Sequence, residues 1–120
     1  MNVRTLDVAT LRAAWWTQCA LRRVHVDLRT NGLKYTPAPS PPQLPSHARR
    51  GVLAVLRRRR STCLERALVL QRWHQAQGNL CDVIIAVRGS QIDFSAHAWL
   101  DGEPDGAADA FSEVLRLPPR

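Results

Sequence analysis

Residues 36–45 read TPAPSPPQLP, and five of those positions are proline. Proline has no N–H to donate, fixes its own φ and pushes the residue before it out of the helical region. The stretch is therefore neither helix nor central strand. It is an extended connector, and it divides the chain into an N-terminal helical region, 1–45, and a core region, 46–120.

On either side the apolar pattern names the elements. Residues 7–29 read as a helix capped by Asp7, with Leu11, Ala14, Trp15, Leu21 and Val24 on the inner face and Arg12, Arg22 and Arg23 outside. Asn31-Gly32 stops it. Ser46 opens a second helix to about Arg58, with Val52, Leu53, Val55 and Leu56 inward and Arg49, Arg50, Arg57 and Arg58 solvated. A third runs from Cys63 to Gln77, with Gly78 as its left-handed terminus. DVIIAVRG (82–89) and IDFSAHAWL (92–100) are strands, and Asp101-Gly102 is a two-residue hairpin turn. A third strand returns through Glu103 to Asp105, confined to an edge by Pro104. Residues 107–115 are expected to make a last helical turn or two, and the LPPR tail to fray. Helices followed by a small antiparallel sheet make an α+β chain.

Length and composition narrow the class. The 120 residues, 45% hydrophobic, suit one domain with a modest core. No apolar run approaches the roughly 20 residues of a membrane span. Asp7 and Arg12 interrupt the start where a signal peptide would be apolar, so a cytoplasmic protein is expected. The odd set of Cys19, Cys63 and Cys81 argues against a disulfide framework. There is no C-x-x-C, and His25, His47, His74 and His97 do not pair with cysteines at finger-like spacing, so neither a metal nor another cofactor is expected. The net charge of +7, from 17 basic and 10 acidic residues, favours acidic partners.

One cysteine stands apart. Thr62-Cys63-Leu64-Glu65 fits a capping box, which places Cys63 at the first helical position. The partial positive charge there suits an anionic nucleophile, and the free N–H groups of the turn suit an oxyanion. The competing reading is a small buried hydrophobe, as for Cys19 and Cys81. A nucleophilic thiol needs a base, and His97 on its strand can take the proton if the fold brings the two together. A strand histidine can equally be structural. His25, His47 and His74 have no comparable setting and read as surface or partly buried residues.

The run CLERALVLQRW…G…DVIIAVRG…AHAWLDGEP resembles the leader proteases of lasso peptide biosynthesis, small stand-alone members of the transglutaminase-like, papain-like cysteine protease superfamily. The resemblance covers about residues 48–117. It implies a papain-like core, Cys63 as nucleophile, His97 as base and an aspartate on the strand after the histidine. Counting as in longer relatives reaches Asp109. A hairpin that turns early, at Asp101-Gly102, loses the same length from both strands, which moves the position to Asp105 and pairs it with Ala98. Asp105 is preferred on that ground, with Asp109 as the alternative and Asp101 left to the turn. The implied reaction is removal of the leader peptide from a ribosomally made precursor. The implied partners are that leader, a separate PqqD-like leader-binding protein and an asparagine-synthetase-like, ATP-dependent cyclase that closes the ring.

Arg57–Arg60 read first as a solvated helix end, and otherwise as a docking site for leader or partner. Nucleic acid would want interleaved aromatic platforms, which are absent there. Trp15 and Trp16 form a core or partner-facing patch, Trp73 packs against the sheet, and Trp99 shares a strand face with His97. Two other functions stay open: a different acyl transfer on the same fold, and a non-catalytic basic adaptor.

Overall fold

The computed structural model describes residues 7–35, 37–89, 94–103 and 111–120. Three helices come first: α1 (Val8–Asn31), α2 (Arg49–Arg58) and α3 (Cys63–Ala76). Three strands follow: β1 (Val83–Gly89), β2 (Phe94–Leu100) and β3 (Ser112–Leu117). The α+β order expected from the sequence is the order observed.

The local signals act as their chemistry dictates. Asp7 caps α1 by accepting the Thr10 N–H at 2.7 Å, and Gly32 ends the helix at φ 58°. Gly78, at φ 88°, follows α3. Ser46 behaves differently from expectation. It opens a short 3-10 turn, Ser46–Ala48, without a side-chain cap, and α2 proper begins at Arg49.

The inner face of α1 is the predicted one at Leu21 and Val24 and differs in the first half of the helix. Thr10, Ala13, Trp16, Thr17, Ala20, Leu21 and Val24 are buried, whereas Leu11 and Trp15 are 53% and 69% exposed. Small residues let α2 come close. A Cβ on Gly51 would sit 2.2 Å from the Thr10 carbonyl oxygen, so that crossing admits only glycine. Trp16 then turns inward, packs tilted at 6.0 Å against the buried Trp73 ring and donates its indole N–H to the Pro39 carbonyl at 3.0 Å. The proline connector is thus bound to the helices it separates. Residues on both sides of it share one core cluster, from Ala13 through Leu44 and Val52 to Leu117.

The sheet runs in the order β2-β1-β3, both pairs antiparallel. The turn after β2 is the predicted one. Asp101-Gly102 does turn, with the Glu103 N–H on the Leu100 carbonyl at 3.1 Å and Gly102 at φ 98°. The next described strand, however, is Ser112–Leu117, and it pairs with β1 on the far side of the sheet. Residues 112–115, expected to be helical, belong to that strand, and a register shift between Ile85 and Ala86 accommodates Val114. The return strand expected through Glu103 to Asp105 runs beyond Glu103 outside the described residues; at the outer edge of β2, the Ala98 N–H points at the Cys63 sulfur.

The tail is held, not frayed. Leu117 is buried, and its carbonyl accepts from the buried Gln71 amide at 2.9 Å. Arg120 donates to the Tyr35 carbonyl at 2.8 Å and lies 4.2 Å above that ring. Among the described residues, no helix is long and apolar enough to cross a membrane.

Candidate active site

Cys63 begins α3, and the capping box around it is complete. The Glu65 N–H donates to the Thr62 hydroxyl at 3.1 Å, and the Thr62 N–H donates to Glu65 Oε1 at 3.0 Å. The remaining carboxylate oxygen, Oε2, meets Nδ1 of His25 on α1 at 2.6 Å. Glu65 is buried, so three groups from two helices fix where the cysteine-bearing helix starts. The sequence pattern found the box; the His25 contact spans 40 residues and carries no local signal.

β2 closes the site. The Ala98 N–H donates to Cys63 Sγ at 3.3 Å. This is the outward face of an edge strand, so the ladder leaves that donor available. One residue earlier is His97. By strand alternation His97 and Trp99 lie on the sheet face opposite Ala98 and Leu100, both of which enter the core. The His97 ring contacts two aromatic rings, Trp99 at 5.5 Å and Phe111 at 5.3 Å, both tilted against it. Phe111, immediately before β3, lies under the Arg88 guanidinium at 4.9 Å. Trp99 was expected beside His97; Phe111 was not, because its approach depends on β3 crossing to the far side of β1.

Cys63 and His97 line one cavity of about 220 Å³, together with Arg66, Ala67, Leu70, Ala98, Trp99, Leu100 and Glu103. Ala67, Leu70, Trp99 and Leu100 make an apolar wall. Glu103 closes one end and is bound in turn by Arg49 and by His74, whose Nε2 is 2.8 Å from Oε1. Burial pushes the Glu103 carboxyl up, but the hydrogen bonds from His74 and Arg49, with their charges, outweigh it and hold the group below the ordinary glutamate range. Arg49, read from the sequence as solvated, is therefore an ion-pair partner.

The histidines without an assigned role all have carboxylate partners: His25 with Glu65, His47 with Asp7 and His74 with Glu103. Cys19 and Cys81 are half-buried free thiols away from this cavity. No group of His, Cys, Asp and Glu that could hold a metal ion occurs among the described residues. Asp105 and Asp109, the candidate third members, lie outside the described residues.

A family profile described as the transglutaminase-like superfamily matches residues 5–116. The chain therefore belongs to that superfamily, which includes cysteine peptidases and transglutaminases. The match spans both the N-terminal helix and the sheet, across the connector. No curated protein and no solved structure gives a significant match.

Proposed function

We propose that this protein is a cysteine peptidase that removes the leader from a ribosomally made lasso peptide precursor. The observation that carries the reading is the meeting of Cys63 and His97 in one cavity, with the N–H next to His97 on the Cys63 sulfur. Superfamily membership supports thiol-based acyl chemistry there, and the resemblance of the CLERAL and AHAWL segments supports the leader–core junction as substrate.

In the proposed reaction His97 takes the Cys63 thiol proton as the sulfur attacks the scissile carbonyl carbon. The first amides of α3 have no acceptor within the helix and suit the oxyanion that forms. The C–N bond breaks, the imidazolium gives its proton to the leaving core amine, and a thioester to the leader remains. Water, deprotonated by His97, attacks that thioester and releases the leader acid and the free thiol. An aspartate orienting the imidazole completes the proposal. Asp105, preferred from the sequence, and Asp109, its alternative, are the two candidates, each tested as the asparagine variant. A leader-binding partner would present the precursor, and a cyclase would consume the core.

The test is a synthetic leader–core precursor incubated with the protein, with and without a PqqD-like leader-binding partner, and read by mass spectrometry. One cut at the junction, lost in Cys63→Ala, is the expected result. An intact precursor, or equal cutting by Cys63→Ala, overturns the reading. A product carrying an added amine in place of water assigns acyl transfer instead.

A further inference from the structure

Cys63, Arg66, Ala67 and Leu70 recur at i, i+3, i+4 and i+7, so one stripe of α3 floors the cavity. Arg66 is the charged member of that stripe, one turn along from the sulfur. It is exposed, and among the described residues it has no carboxylate partner. The carboxylate that shares the cavity, Glu103, is committed to Arg49 and His74. The cavity thus offers a neutralised acid at one end and an uncommitted guanidinium beside the nucleophile.

Further positive charge precedes the nucleophile in the chain. Arg57, Arg58, Arg59 and Arg60, all exposed, lead into Thr62 and Cys63, and among the described residues only Arg59 of the four reaches another side chain, Gln18 at 3.1 Å. The head of α3 adds its own partial positive charge. A substrate lying along this stripe meets apolar surface at Ala67, Leu70 and Trp99 and a fork of N–H donors at Arg66. A guanidinium selects a planar carboxylate over a neutral amide or an ammonium.

We infer that Arg66 is a specificity-determining residue, and that the cavity takes a peptide with an Asp or Glu side chain close to the scissile bond. This rests on the peptidase reading and names the substrate class of the same site.

The test uses short labelled peptides that differ only by Glu, Gln or Lys, placed in turn at each position flanking the junction. Cleavage is measured with the full-length protein and with Arg66→Gln, Arg66→Lys and Arg66→Glu. Binding is measured by fluorescence anisotropy on Cys63→Ala with and without Arg66→Gln. At one position the Glu peptide is expected to lead the Gln peptide by about tenfold in kcat/KM, carried by KM, as one charge-assisted hydrogen bond provides. Arg66→Gln erases that lead, Arg66→Lys keeps part of it, and Arg66→Glu passes it to the Lys peptide. A preference that survives Arg66→Gln, or a variant that slows all three peptides alike, overturns the inference while leaving the peptidase reading in place. If nothing is cut but the binding preference follows Arg66, the peptidase reading fails and the subsite stands. A single-stranded oligonucleotide that binds as tightly as the Glu peptide through Arg66 shows a general polyanion site and also overturns the inference.

Discussion

At the residue scale, the His97 imidazole is held by flat surfaces. Trp99 and Phe111 contact it at ring-centroid distances of 5.5 and 5.3 Å, and Arg88 sits over the outer face of Phe111. Aromatic pairs of this kind contribute about 1 kcal/mol beyond burial, which is roughly fivefold in a rate if the ring must be ordered to accept a proton. Phe111→Ala is accordingly expected to lower kcat about fivefold with little change in KM. Phe111→Leu, which keeps bulk without the ring, recovers only part of the loss. Steady-state kinetics on both variants distinguish an orienting contact from a merely space-filling one, for which leucine would restore the rate.

At the element scale, the head of α3 is the joint on which the site depends. Glu65 accepts from Thr62 with one oxygen and meets His25 with the other, and both contacts are lost together if the carboxylate goes. Glu65→Ala removes half the capping box and takes the acceptor from the Thr62 amide, costing about 1 kcal/mol. Urea unfolding should show that loss. It should be non-additive with His25→Ala in a double-mutant cycle, because the two side chains share one bond. Additive losses would mean that the α1–α3 contact is incidental.

At the scale of the whole molecule, ties between distant segments hold the N-terminal region to the rest. Asp7 is one of them: it caps α1 and meets His47 across the connector at 2.7 Å. Hydrogen bonds from Thr10 come first, with His47 adding to them, and they lower the Asp7 carboxyl from 3.8 to about 2. A carboxyl lowered in the folded state stabilises the protein above its unfolded value, and that contribution is lost as pH falls through the folded one. Stability should therefore drop between pH 3.8 and about 2 more steeply in the wild type than in Asp7→Asn. Melting temperatures collected across that range test it; parallel curves would show that the cap does not carry the pH dependence.

Much of this protein was determined by short-range chemistry. Asp7, Gly32, Thr62-Glu65, Gly78 and Asp101-Gly102 act through neighbours a few residues away, so helix ends, the capping box and the turn could be read directly from the chain. Cys63 at a helix head and His97 on a strand were legible for the same reason. Tertiary structure decided what depends on contacts between distant segments. The inner face of the first half of α1 follows from the close approach at Gly51 and the Trp16–Trp73 contact, which periodicity alone placed a few positions away. The partner of β1 was hidden because a strand's alternation states which face is buried and not which neighbour it pairs with. In the structure α3 meets the outer edge of β2 at the Cys63 sulfur, and β3 pairs with β1 on the other side. That pairing places Phe111 against His97, and the packing of α3 along β2 gathers Arg66 and Glu103 into the same cavity as the nucleophile.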